Sequence, residues 1–147
     1  MKVLFCTASL LGAALIRAVT WSKWSHVALV LEDETAIEAV YPKVRRVSLE
    51  TILNSSSKWV IVDIPTDCDR EIEEAAISQI GKPYDITALL GILVHRQWTD
   101  LDSWFCSELV AWSFAKGGKS LFRVEDIHRI TPQNLWMLNY PIVRKSE

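Results

Sequence analysis

Residues 24–31, Trp-Ser-His-Val-Ala-Leu-Val-Leu, decide the fold, because this apolar, β-branched run predicts a mostly buried strand. An acidic turn follows at residues 32–35, and residues 36–41 predict the return strand of a hairpin. Three further strands are predicted at residues 44–47, 59–64 and 140–144. Most strands therefore cluster in one part of the chain, with helical patterns before and after them. This layout predicts an α+β fold, in which helices pack on an antiparallel sheet.

Helical periodicity is clear in residues 103–115, where apolar side chains recur as one stripe. Asp102 or Ser103 is the expected N-cap, and Gly117 with Gly118 provides the end of the helix. Other helices are predicted at residues 48–53, at residues 69–80 and from Thr131 onward, while residues 84–98 fit a helix less clearly.

The N-terminal segment has two interpretations. Residues 10–16 are apolar and resemble the core of a short signal peptide, but Arg17 follows them directly and no small-x-small cleavage site precedes Trp21. The segment is also too short and too interrupted to span a membrane. We therefore expect a strand at residues 2–6 and a helix at residues 9–20, with a cleaved signal as the alternative.

Length and composition fit one domain, residues 1–147, with a single core. A chain of this length buries ~68% of its unfolded surface, and half of its residues are hydrophobic. The net charge of −2 gives no electrostatic basis for nucleic-acid binding.

The cysteines favour a reducing, cytoplasmic setting. Cys6, Cys68 and Cys106 are an odd set without metal-ligand spacing, and the three histidines are scattered. We expect no metal and no cofactor, and the sequence leaves the oligomeric state open.

Cys106 and His26 are the candidate nucleophile and base. Cys106 falls in the first turn of its predicted helix, where unpaired backbone amides and the helix dipole favour a thiolate. His26 lies near the start of the strand predicted at residues 24–31 and is the best candidate to take up the proton. The alternatives are ordinary: a core imidazole bonded to a backbone carbonyl, and a small buried thiol.

Glu38 is the candidate third residue, since it is a carboxylate within an apolar strand next to the histidine strand. Its face depends on the hairpin register. If residues 31 and 35 pair, Glu38 shares a face with His26, whereas pairing of residues 31 and 36 turns it to the other face. The alternative is a solvent-exposed glutamate.

Several motifs together resemble the circularly permuted branch of the NlpC-type papain-like cysteine peptidases, and most of all its YaeF/YiiX-like amidases. The motifs are residues 25–31, 37–39, 81–85, 105–110 and 130–135. The histidine strand precedes the cysteine helix, as in the permuted branch, and the resemblance covers residues 3–143. It implies a permuted papain-like fold and hydrolysis of an amide bond in a peptide, with cell-wall and isopeptide bonds as candidates, in a bacterial or phage setting.

The resemblance also implies that Tyr84 lines the site, where its hydroxyl would stabilise an oxyanion together with the Cys106 amide. Glu108 belongs to the family pattern, and we interpret it as a complement to the helix dipole. Arg45 and Arg46 are interpreted as a solvated strand edge.

The sequence thus predicts a thiol hydrolase in which Cys106 attacks, His26 transfers the proton and Glu38 orients His26. Two alternatives stay open: a lipid acyltransferase or thioesterase, as in the lecithin:retinol acyltransferase relatives, and an inactive binding module. Tryptophans lining an apolar groove would favour the first. A Cys106 that is fully buried, or turned away from His26, would favour the second.

Overall fold

The computed structural model describes residues 1–8, 22–85, 103–123, 125, 127 and 130–147. The described strands are β1 (Lys2–Ala8), β2 (His26–Val30), β3 (Thr35–Val40), β4 (Lys43–Ser48), β5 (Ser56–Asp63) and β6 (Ile142–Lys145). They form one antiparallel sheet in the order β4-β3-β2-β1-β5-β6. The described helices are α1 (Leu49–Asn54), α2 (Asp69–Ile77), α3 (Cys106–Lys116) and α4 (Pro132–Trp136). This confirms the predicted α+β class.

The sheet has two apolar faces, because side chains alternate along each strand. Helices α2 and α3 contribute to the larger core, together with strand residues that include Val3, Phe5, Val27, Leu29 and Ile37. Helix α1 packs with the residues of the opposite face, which include Leu4, Cys6, Ala28, Val30 and Ala36. The sheet is thus covered on both sides, and β2 and β3 lie within it rather than at an edge.

Strand β1 lies in the centre of the sheet, between β2 and β5. The strand predicted at residues 2–6 is therefore confirmed, and it extends to Ala8. The helix predicted at residues 9–20 and most of the segment at residues 84–98 lie outside the described residues. Within the described part of the chain, no helix is long and apolar enough to cross a membrane.

The cysteine helix begins later than predicted. Its N-cap is Phe105, and Cys106 is its first residue, so Ser103 does not cap it, and Asp102 lies outside the described residues. The cause is an extended segment: the Trp104 amide donates to the Pro83 carbonyl at 3.0 Å, and the Trp104 carbonyl accepts from Asp85 at 3.0 Å. These bonds hold Trp104 in a bridge beside Tyr84, and a helix cannot start before that bridge ends.

Candidate active site

Cys106 is held at the N-terminus of α3 by bonds on either side of it. The Phe105 amide donates to Glu108 Oε2 at 3.2 Å, which fixes the entry of the chain into the helix. Ser107 Oγ donates to the Ile130 carbonyl at 2.5 Å, which ties the first turn to the segment before α4. Helix α4 itself begins as predicted, with Thr131 as its N-cap and a proline at its first position. The thiol is therefore fixed next to amides that α3 leaves unpaired.

The turn between β2 and β3 brings Glu38 to His26. The Leu31 amide donates to the Thr35 carbonyl at 2.8 Å, and Val30 pairs with Ala36, so residues 31 and 35 are opposite each other. Glu34 adopts a positive φ of 57°, which suits the last residue of a three-residue hairpin loop. This is the register in which Glu38 shares a face with His26.

The two side chains meet directly: His26 Nε2 lies 2.7 Å from Glu38 Oε2. The exposed fractions are 12% for the His26 side chain and 4% for that of Glu38. The interpretation of Glu38 as a solvent-exposed glutamate is therefore wrong. Cys106 is the other near neighbour that acts on the pKa of His26, so the structure places all three candidate residues in one cluster.

Electrostatics favour a charged imidazole. Burial lowers the pKa of His26, but its interactions with Cys106 and Glu38 outweigh burial and raise it well above its ordinary value. Burial likewise raises the pKa of Glu38, but the His26 bond and then Arg45 bring it below its usual range. Both shifts favour a protonated His26 beside an ionised Glu38.

Arg45 is a site residue that the sequence interpretation missed. It lies directly opposite Glu38 in the β3–β4 ladder, and its Nε donates to Glu38 Oε1 at 2.9 Å. Its side chain is half exposed, but its guanidinium does not simply face solvent. A two-residue turn at residues 41–42 sets this pairing. A sequence interpretation that assumed this tight turn would have placed Arg45 opposite Glu38.

Tyr84 lies beside the nucleophile, as the family resemblance implies. It is half-buried, and its ring packs on Phe105 with centroids 6.1 Å apart. Burial is the main cause that raises the pKa of Tyr84, and Coulomb interactions with Cys106, Asp85 and Glu108 raise it further. The hydroxyl therefore remains protonated and can act as a hydrogen-bond donor near Cys106.

Glu108 does not interact with the helix dipole through a negative charge, contrary to the interpretation from the sequence. Burial raises its pKa to about 8, and Asp85 adds to the increase, although the bond from the Phe105 amide opposes it. Glu108 is thus mostly uncharged at neutral pH and acts as a capping acceptor.

Cys6 is a core residue of β1, as predicted, and its Cα pairs with that of His26. Burial is the main cause that raises the pKa of Cys6, while nearby His26 opposes the increase. Cys68 is half-buried and precedes α2. Neither takes part in the hydrogen bond that joins His26 and Glu38.

A cavity of about 450 Å³ lies elsewhere in the molecule, between α1, β5 and β6. Its lining residues include Glu50, Trp59 and Arg144, but none of the candidate catalytic residues.

The solved structures include a similar fold. A crystal structure described as the metalloprotein yiiX from Escherichia coli O157:H7 superposes with a TM-score of 0.70, at 18% identity, over 99% of this chain and 94% of that one. In the described part of the present chain, no three His, Cys, Asp or Glu side chains are grouped to hold a metal. At this identity the likeness shows the fold.

Comparison with curated proteins gives no match. A sequence model of the permuted papain-like amidase enzymes of the YaeF/YiiX type, the C92 peptidase family, matches residues 2–139. This is most of the chain, and the match agrees with the order of the histidine strand and the cysteine helix. The chain belongs to the family of permuted papain-like amidases.

Proposed function

We propose that the protein hydrolyses an amide bond through an acyl-enzyme on Cys106. The observation that carries this proposal is the His26–Glu38 pair, joined at 2.7 Å, with Cys106 close enough to His26 to act on the pKa of the imidazole. A nucleophile, a proton carrier and an orienting carboxylate in contact are what thiol acyl transfer needs. The family, whose members are described as amidases, supports the same reaction.

The first half of the reaction forms the thioester. The Cys106 sulfur bonds to the carbonyl carbon, and the electron pair of the carbonyl moves onto its oxygen. The Tyr84 hydroxyl and the Cys106 amide are the proposed donors to that oxyanion. His26 then gives its proton to the amide nitrogen, the C–N bond breaks, and the amine leaves.

The second half releases the product. Water gives a proton to His26 while its oxygen bonds to the acyl carbon, and the C–S bond breaks. A carboxylic acid leaves, and the thiolate and imidazolium are restored. Since Glu38 occupies Nε2, Nδ1 is the ring nitrogen left to exchange the proton with the sulfur and the substrate.

The substrate class we propose is an amide bond in a peptide, with cell-wall and isopeptide bonds as the candidate types, in a bacterial or phage setting. The test incubates the protein with cell-wall peptides and isopeptide-linked peptides and follows the release of amine. Intact-mass spectrometry should detect an acyl adduct on Cys106 in the protein and none in Cys106→Ala. Amine release that persists in Cys106→Ala would contradict the proposal.

One observation favours a binding module as the second candidate: Cys106 is only 1% exposed. The proximity of Cys106 to His26 is evidence against that candidate, since an inactive scaffold has no need of the pair. Labelling with iodoacetamide separates the two, because a thiol that no small electrophile reaches cannot turn over a peptide. A lipid acyltransferase gains no such support, because Trp24 and Trp104 are buried in the core, and Trp21 and Trp98 lie outside the described residues.

A further inference from the structure

We propose that Arg45 is a positioning residue of this site, which holds one oxygen of Glu38 so that the other is reserved for His26. The proposal rests on the catalytic function proposed above and adds a fourth residue to it. Arg45 touches neither sulfur nor substrate in this arrangement and acts through Glu38 alone.

The two oxygens of the Glu38 carboxylate have different partners. Two nitrogens of Arg45 contact the same oxygen of Glu38. Nε donates to Glu38 Oε1 at 2.9 Å, and Nη2 lies 2.8 Å from that oxygen. Glu38 Oε2 lies 2.7 Å from His26 Nε2. A rigid guanidinium that holds one oxygen through two nitrogens restricts rotation of the carboxylate, and therefore fixes the direction of the other oxygen.

Burial gives the contact its importance. The Glu38 side chain is only 4% exposed, and a carboxylate removed from water is costly unless it is paired. A guanidinium keeps its charge over the pH range in which histidine and carboxyl groups titrate, so it is a fixed partner for a carboxylate. His26, by contrast, changes charge during the reaction, and Arg45 is then the partner that keeps Glu38 ionised.

The charges alternate across four neighbouring elements of the fold. Arg45 on β4 is positive, Glu38 on β3 negative, His26 on β2 positive, and the proposed Cys106 thiolate on α3 negative. Cys6 on β1 is the other titratable group near His26, and its burial keeps it a neutral thiol. Without Arg45, Glu38 should take up a proton at a higher pH, which weakens its hold on the imidazolium.

Arg46 provides a matched control. It is the neighbouring arginine on the same strand, is exposed to a similar extent, and binds Asp33 and Thr35 instead of Glu38. Arg45→Met and Arg46→Met therefore remove the same charge from adjacent positions, and only the first removes a contact with Glu38. Arg45→Lys keeps the charge but replaces the two nitrogens with one ammonium.

The experiment measures the rate at which iodoacetamide alkylates Cys106 as a function of pH, so no natural substrate is required. For Arg45→Met, we expect a rate at pH 7 about tenfold below wild type, the size of losing one charged hydrogen bond, and an acid limb shifted to higher pH. Arg45→Lys should recover part of both effects, and Arg46→Met should match wild type. If Arg45→Met does not fold, the proposal is tested by the acid limb of the alkylation rate in Arg45→Lys, which should lie at higher pH than in Arg46→Met.

The outcomes separate the two proposals. If His26→Ala slows alkylation but Arg45→Met and Arg45→Lys keep the wild-type rate and acid limb, the role of Arg45 is refuted while the catalytic function stands. Equal losses in Arg45→Met and Arg46→Met would also refute it, since both would then reflect net charge. If His26→Ala leaves alkylation unchanged, the proposed function itself fails, and with it the role of Arg45.

Discussion

Cys6 and Cys106 occupy two regions of the molecule that differ in backbone rather than in burial. Both thiols are buried, and both lie near His26. Cys6 lies within a central strand that pairs on both sides, whereas Cys106 opens a helix whose first amides are unpaired. The comparison teaches that proximity to an imidazole does not by itself make a nucleophile. The backbone around the sulfur decides whether a negative charge there is stabilised.

The largest expected effect is on turnover. Cys106→Ala should abolish amide hydrolysis, whereas Cys6→Ala should keep most of it and cost about 1 kcal/mol of stability for a small cavity in the core. Amine release and thermal melting of the two variants test this contrast. Loss of turnover in a folded Cys6→Ala protein would show that the two thiols are not separate in function.

Removal of His26 should affect one thiol far more than the other. We expect Cys106 to be alkylated faster than Cys6 or Cys68 in the wild type, and His26→Ala to slow the reaction of Cys106 sharply. Peptide mapping by mass spectrometry measures each cysteine in the same sample. If Cys6 or Cys68 reacts first, the assignment of the nucleophile is wrong.

Glu38→Gln should have a smaller effect than either catalytic substitution. The amide retains an acceptor oxygen and the shape of the side chain, but it loses the charge that stabilises the imidazolium. Activity should be reduced but measurable, and alkylation of Cys106 should need a higher pH than in the wild type. A Glu38→Gln enzyme as inactive as His26→Ala would indicate that the carboxylate does more than orient the ring.

The effect expected for Glu108 is on stability and its dependence on pH rather than on turnover. The folded pKa of Glu108, about 8, lies above its ordinary value of 4.5, so the folded protein keeps a proton that the unfolded chain releases. Stability should therefore fall between those pH values as pH rises, by at most about 1.4 kcal/mol per pH unit. Glu108→Gln keeps an acceptor for the Phe105 amide and cannot ionise, so its stability should depend less on pH.

Glu71→Gln is the control for this measurement. Glu71 occupies the same third position of helix α2 but is exposed. Denaturant unfolding from pH 5 to pH 9 should give a flatter curve for Glu108→Gln than for Glu71→Gln. Parallel curves would contradict the buried, protonated state of Glu108.

Sequence patterns predicted those elements and site residues whose structure depends on a single local pattern of residues. The apolar runs of β2 and β5 could hardly form anything but buried strands, and Thr131 before a proline marked the start of α4. The start of α3 was misplaced, because the bridge between Tyr84 and Trp104 joins segments distant in sequence. The side of the sheet on which Glu38 lies depends on the backbone conformation of Glu34. The pairing of Arg45 with Glu38 depends on the tight turn at residues 41–42. Hydrophobic periodicity encodes neither of these features.

The order of the site residues along the chain has a consequence for synthesis of the protein. His26, Glu38 and Arg45 lie on three consecutive strands joined by short turns, so their contacts are local. Cys106 follows much later in the chain, and its helix meets those strands only through tertiary packing. A ribosome delivers the N-terminal segments first. Under the proposed function, His26 and Glu38 are therefore translated before the Cys106 nucleophile exists, and the thiol would become reactive only when folding brings α3 to the sheet.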